Sequence, residues 1–164
     1  AEASWRYDAL FAGFKYNMTD IQAALGIHQL KKLPAFLKKR IAIAATYNRA
    51  FKSFPELIIP TAKAYMEHPW HLYPLRINPE RLGISRDQFL EALRKEGIGR
   101  SVHFLPVHLF TFYRKRFGFK KGDFPIAEYM GENIFSLPLY PAMSAKDTKD
   151  VIQAVQKIVT FYRK

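Results

Sequence analysis

The sequence contains no cysteine. That excludes disulfides and cysteine-based metal sites, and it suits a cytoplasmic protein. No apolar run approaches the ~20 residues a membrane-spanning helix needs. No signal peptide opens the chain, so no membrane partner is expected. Carboxylates are scarce: 14 Asp and Glu stand against 26 Lys and Arg, a formal charge of +12. Such a balance can mark nucleic-acid or phosphorylated ligands, or a domain whose acidic counterpart lies elsewhere. Internal repeats and low-complexity tracts are also absent.

What is present reads as one globular domain of ordinary size. The 164 residues are 49% hydrophobic and 24% charged, enough apolar material for a core and too much for disorder. Thr19 and Gln22 have capping-box spacing and predict a helix to about Lys32, with Ile21, Leu25 and Leu30 as its apolar face. Leu33-Pro34 should break the chain. A second helix over 35–54 should bury Leu37, Ile41, Ala44, Ala45 and Phe51. A short extended piece at 57–59 and an aromatic strand over 70–77 follow, in which Pro74 implies a bulge or an edge. Ser85 and Gln88 form a second capping box, and Gly97 stops that helix. Further elements are a strand over 100–105, a short helix and loop over 110–121, a helix over 125–133 and a strand over 134–139. Ser144 caps a last helix striped by Val151, Val155, Ile158 and Tyr162. The economical packing is α+β, a small antiparallel sheet covered by helices on one face.

Three groups of residues carry chemistry. The loop Gly13–Asn17 presents Lys15, Tyr16 and Asn17 just before a helix N-terminus, which suits a phosphate or other anion and also suits an ordinary loop. His103, Phe104 and His108 cluster around Pro106 at a strand end, a common position for binding groups. The basic runs Lys38-Lys39-Arg40 and Arg114-Lys115-Arg116, the second interleaved with Phe110, Phe112, Tyr113 and Phe117, could contact nucleic acid, but charge runs on helices are usually solvated faces, so no nucleic-acid partner is expected. His68 and His71 lie on opposite sides of an extended segment. His103 and His108 have no carboxylate nearby in sequence, so no metal site is expected.

Four ordered segments carry a resemblance: Gly13–Leu33 (Gly-Phe-Lys-Tyr-Asn-Met-Thr-Asp-Ile-Gln-Ala-Ala-Leu-Gly and onward), His68-Pro-Trp-His-Leu-Tyr73, Val102-His-Phe-Leu-Pro-Val-His108 and Ser136-Leu-Pro-Leu-Tyr-Pro141. Together they resemble the PLP-dependent nucleotide-sugar aminotransferases of the DegT/DnrJ/StrS family, of fold type I. The runs Gly83–Asp87 and Gly97–Gly99 resemble most the subgroup that aminates UDP-4-keto pentoses for lipid A modification.

The resemblance implies residues 1–17 as a connector and cross-dimer loop and 18–164 as the C-terminal small domain. The N-terminal PLP domain would then lie outside this chain, since no segment resembles the family's Ser-x-x-Lys setting of the Schiff-base lysine, and no catalytic residue is assigned. It further implies a cytoplasmic homodimer, with glutamate as amino donor and a nucleotide sugar as acceptor. Lys15 and Asn17 would hold the PLP phosphate across the dimer, in swapped order relative to the family's usual Asn and Arg. Tyr16, His103, Phe104 and His108 would face the sugar nucleotide. Phe104 replaces the family's usual tyrosine and so lacks its hydroxyl. A separate basic module for nucleic acid or phosphorylated ligands is the alternative class.

Overall fold

The elements follow one another as α1 (Asp20–Phe51), β1 (Leu57–Ile58), β2 (Tyr73–Ile77), α2 (Arg86–Lys95), a 3-10 turn (Val107–Leu109), α3 (Thr111–Phe117), α4 (Pro125–Asn133), β3 (Ile134–Leu137) and α5 (Ala145–Tyr162). They come from a computed structural model that describes residues 10–164; the first nine residues of the expected connector and loop at 1–17 lie outside those residues. The expected caps form. Thr19 and Gln22 exchange side-chain and backbone hydrogen bonds ahead of α1, and Ser85 with Gln88 and Ser144 with Asp147 do so ahead of α2 and α5. Gly97 ends α2 at φ +75°, and the next N–H, of Ile98, closes back on the Leu93 carbonyl at 2.9 Å, a glycine-dependent helix stop.

The chain divides into two units, 1–33 and 34–164. In the first, residues 12–19 have no regular structure and lead into the opening turns of α1. The expected inner face of that segment is corrected: Ile21, Leu25 and Leu30 are exposed. The expected break at Leu33-Pro34 is corrected too, because α1 contains Pro34. A proline removes one helical N–H, and the strong helix formers around it (Leu30, Lys31, Lys32, Leu33, Ala35, Leu37) sustain the helix.

In the second unit the sheet order is β1-β2-β3, antiparallel throughout. Tyr73, Leu75 and Ile77 alternate onto one buried face of β2. Tyr73 and Leu75 stand opposite Leu137 and Phe135 of β3. Ala44, Tyr47 and Phe51 of α1, Phe89 and Leu93 of α2, and Val151, Val155 and Val159 of α5 complete the core. The inner face of α1 is therefore rotated from the expected one: Ile43 and Tyr47 are buried while Ile41 is exposed. The buried tyrosines keep their hydroxyls paired. Tyr47 donates to the Pro138 carbonyl and Tyr73 to Asn48 Oδ1, both at 2.8 Å, and burial pushes both phenols above their ordinary pKa. On the other sheet face Arg76 of β2 reaches the Met130 sulfur on α4. The strand expected over 100–105 contracts to a single bridge between Ser101 and Ser136.

Two substitutions separate core from cap. Phe89→Ala should cost about 3–5 kcal/mol and Ser144→Ala about 1 kcal/mol, read as shifts in urea-unfolding midpoints at constant slope. Equal losses would mean that Phe89 does not anchor the core.

Candidate functional site

On β3, Phe135 and Leu137 point into the core, so the period-2 alternation turns Ser136 to the other face. There its N–H donates to the Ser101 carbonyl at 2.8 Å. Its hydroxyl lies 2.9 Å from His103 Nδ1, and Ser101 Oγ lies 3.1 Å from His103 Nε2. A neutral imidazole carries one donor and one acceptor nitrogen, and a hydroxyl complements either. His103 is thus fixed in the plane of its ring by two serines, in whichever tautomer it adopts. It lines a cavity of about 260 Å³ with His71, Leu72, Gly99, Arg100, Ser101 and the segment 136–139.

The facing wall comes from the loop before β2. Trp70 has φ 48°, a left-handed backbone that is unusual for a bulky residue. Its N–H donates to His68 Nδ1 at 3.0 Å, and its buried indole packs against the His68 ring and stacks near Tyr73. Arg40, expected in a solvated basic run, instead turns to this loop. Its Nη1 donates to the carbonyls of Trp70 (3.2 Å), His71 (2.9 Å) and Leu139 (3.0 Å). Arg100 brings a second guanidinium to the cavity wall, with Glu91 at 3.6 Å. Glu91 is held below the usual carboxylate range chiefly by its hydrogen bonds to Arg94.

The expected site residues separate. Only His103 lines the cavity. Phe104 is 71% exposed and stands edge-on to the His103 ring, centroids 4.8 Å apart. His108, expected as a substrate contact, lies away from the cavity: it is 7% exposed, with Nε2 at 2.9 Å from Glu128 Oε1. Glu128 also accepts from the backbone N–H groups of Gly122 and Phe124, so this cluster ties α4 to the loop before it and to the 3-10 turn. Gly131 lets α4 lie against the same segment, where an added Cβ would meet the Pro106 ring at 2.6 Å. Lys15, Tyr16 and Asn17 belong to the first unit and are exposed there. His71, Ser101, Ser136 and Arg40 were not singled out by the sequence as site residues. The available signals were the serines flanking His103 in register and the side-by-side motifs that contribute His71 and Ser136.

Burial raises the Glu128 pKa, but hydrogen bonds from His108, Gly122 and Phe124 outweigh it and hold the carboxyl below its ordinary 4.5. A depressed folded-state pKa contributes stability above the unfolded value and loses it as pH falls through the folded value. Wild type should therefore lose stability on acidification from about pH 5 downward, and Glu128→Gln should be less stable at pH 7 with a flatter acid limb. Parallel acid limbs in thermal melts would exclude Glu128 as a contributor.

The profile of the DegT/DnrJ/EryC1/StrS aminotransferase family matches residues 1–156. An uncharacterized protein of Methanocaldococcus jannaschii is 55% identical over 98% of this chain and 42% of its own length. The spore coat polysaccharide biosynthesis protein SpsC of Bacillus subtilis is 46% identical over 97% of this chain and 41% of its own. Among solved structures, Helicobacter pylori PseC, an aminotransferase involved in the biosynthesis of pseudoaminic acid, superposes with TM-score 0.83 at 26% identity, covering 99% of this chain and 43% of that one. The PLP form of Spr1654 from Streptococcus pneumoniae gives TM-score 0.82 at 32% identity, covering 96% and 40%. The chain thus spans about two fifths of the length of these relatives. It belongs to the DegT/DnrJ/EryC1/StrS aminotransferase family.

Proposed function

We propose that the gene product carrying this chain is a PLP-dependent aminotransferase that moves an amino group from glutamate to a nucleotide-linked keto sugar, in cell-surface polysaccharide or lipid A biosynthesis. The observation that carries the reading is the serine-held His103 at a cavity, in a chain whose family is aminotransferases. The runs Gly83–Asp87 and Gly97–Gly99 favour a UDP-4-keto pentose as the acceptor. The name of the Bacillus relative supports a polysaccharide pathway.

In this reading the chain binds and orients. His103, with its ring fixed by Ser101 and Ser136, offers an imidazole edge to a sugar hydroxyl or phosphate oxygen. His71, which lines the same cavity beside Leu72, offers a second. Phe104 gives the mouth an apolar ring where a tyrosine would give a hydroxyl. Lys15, a cation, and Asn17, an amide, are exposed donors ahead of a capped helix, and that donor set fits a phosphate. They would hold the PLP phosphate of a partner subunit in a homodimer, with Tyr16 beside the substrate. PLP, when bound, supplies the electron sink; the protein supplies orientation.

The coding sequence upstream of Ala1 provides the first test, since the reading requires a Ser-x-x-Lys-bearing domain there. In the complete gene product, Lys15→Ala or Asn17→Ala should weaken PLP retention about tenfold to a hundredfold without lowering the melting temperature, because a charge-assisted hydrogen bond is worth roughly 1.5–3 kcal/mol. His103→Ala should raise KM for the sugar nucleotide and leave PLP affinity unchanged. The 164-residue chain expressed alone should show no transamination. Loop variants that retain PLP fully and melt several degrees lower would make Gly13–Asn17 a structural segment.

A further inference from the structure

We infer that Arg40 is the positioning residue of the cavity and that it acts through His71; this rests on the cavity being the sugar-nucleotide site. A guanidinium has five N–H donors and no acceptor, and here one terminal nitrogen faces three carbonyls, those of Trp70, His71 and Leu139, at 2.9–3.2 Å. Two of these belong to the loop that enters β2, and the third to the segment that leaves β3. Both segments line the cavity, through His71 and Leu72 on one side and Pro138 and Leu139 on the other. Arg40 thus reaches two cavity walls at once from α1, behind them.

The geometry of the loop makes that hold consequential. Trp70 has φ 48°, a strained conformation for its residue type, and such a backbone persists only where its surroundings over-determine it. The His68 ring fixes the Trp70 N–H, the core fixes the indole, and Arg40 fixes the Trp70 and His71 carbonyls. Without Arg40 the Trp70–His71 and His71–Leu72 peptides each lose a carbonyl anchor, and the exposed His71 is no longer held at the cavity wall. His103 has its own support in Ser101 and Ser136 and is independent of Arg40.

The test uses the complete gene product, with glutamate and a UDP-linked 4-keto pentose as substrates, and compares His71→Ala, Arg40→Gln and the double variant. Each single variant should raise KM for the sugar about tenfold and leave kcat within about twofold. Arg40→Gln should have no further effect on KM in the His71→Ala background, the non-additivity expected of residues that act as one. A second readout needs no substrate: the His71 imidazole C–H resonance should move in Arg40→Gln while that of His108, buried against Glu128, stays. Should Arg40→Gln fail to fold, Arg40→Lys retains the charge without the planar fork and should show the same changes at smaller size. An Arg40 variant that melts lower but keeps KM and the His71 resonance, or KM effects that simply add, would overturn the inference. If the protein transaminates no such sugar, the functional reading fails by itself, and the His71 resonance still decides whether Arg40 positions it.

Discussion

The register of β2 against β3 sets both the core and the cavity. Pro74 stands opposite Ser136, and the Ser136 N–H points away from β2, to Ser101. In an antiparallel ladder that makes Pro74–Ser136 a non-hydrogen-bonded pair, so the Pro74 nitrogen also faces away from β3, toward β1. But β1 pairs only with Arg76 and Ile77. The missing N–H of proline therefore costs no ladder bond, although β2 is the central strand. A one-residue slip would put Pro74 in a bonding position and turn Phe135 and Leu137 out of the core. The proline makes one register the cheap one.

From that register the functional face follows by alternation. The strand that buries Phe135 and Leu137 must present Ser136 on its other face, and Ser136 in turn receives both the backbone of Ser101 and the ring of His103. The segment before β2 meets it from the other side. The cavity therefore forms where two loops leave neighbouring strands, next to a packed sheet. Its walls need cross-ties because neither loop has ladder bonds of its own.

Much of this was legible beforehand. The two capping boxes at Thr19 and Ser85, the Ser144 cap, Gly97 as a helix stop, the helix over 125–133 and the α5 stripe depend on local spacing, and local spacing is what a sequence displays. What was not legible depended on partners far along the chain. The 100–105 segment reads like a strand, yet it bridges only at Ser101. The pairing of His108 with Glu128, twenty residues on, could not be read from the sequence. Pro34 suggested a break, and helix formers on both sides carry α1 through it. Tyr47 was overlooked because its phenol is polar by composition and buried by pairing with Pro138. His103 could be singled out from its motif; Arg40 could not, because a guanidinium inside a Lys-Lys-Arg run looks solvated until the carbonyls it meets are known.

Arg40 is one case of a wider division of labour among the basic residues. Arg86 is buried and donates to the carbonyls of Gly131 and Ile134, tying α2 to the α4–β3 junction. Arg163 pairs with the buried Glu56 beside β1, and Lys164 caps the Pro79 carbonyl. Each joins segments distant in sequence, where a cysteine-containing domain could use a disulfide. A planar guanidinium suits the task, since it offers several donors in a fixed fork and stays charged. Part of the +12 charge is thus spent inside the fold, on loop carbonyls, and the total is a poor measure of how strongly the surface attracts an anion. The cation on the cavity wall is Arg100, and the one exposed in the loop before α1 is Lys15.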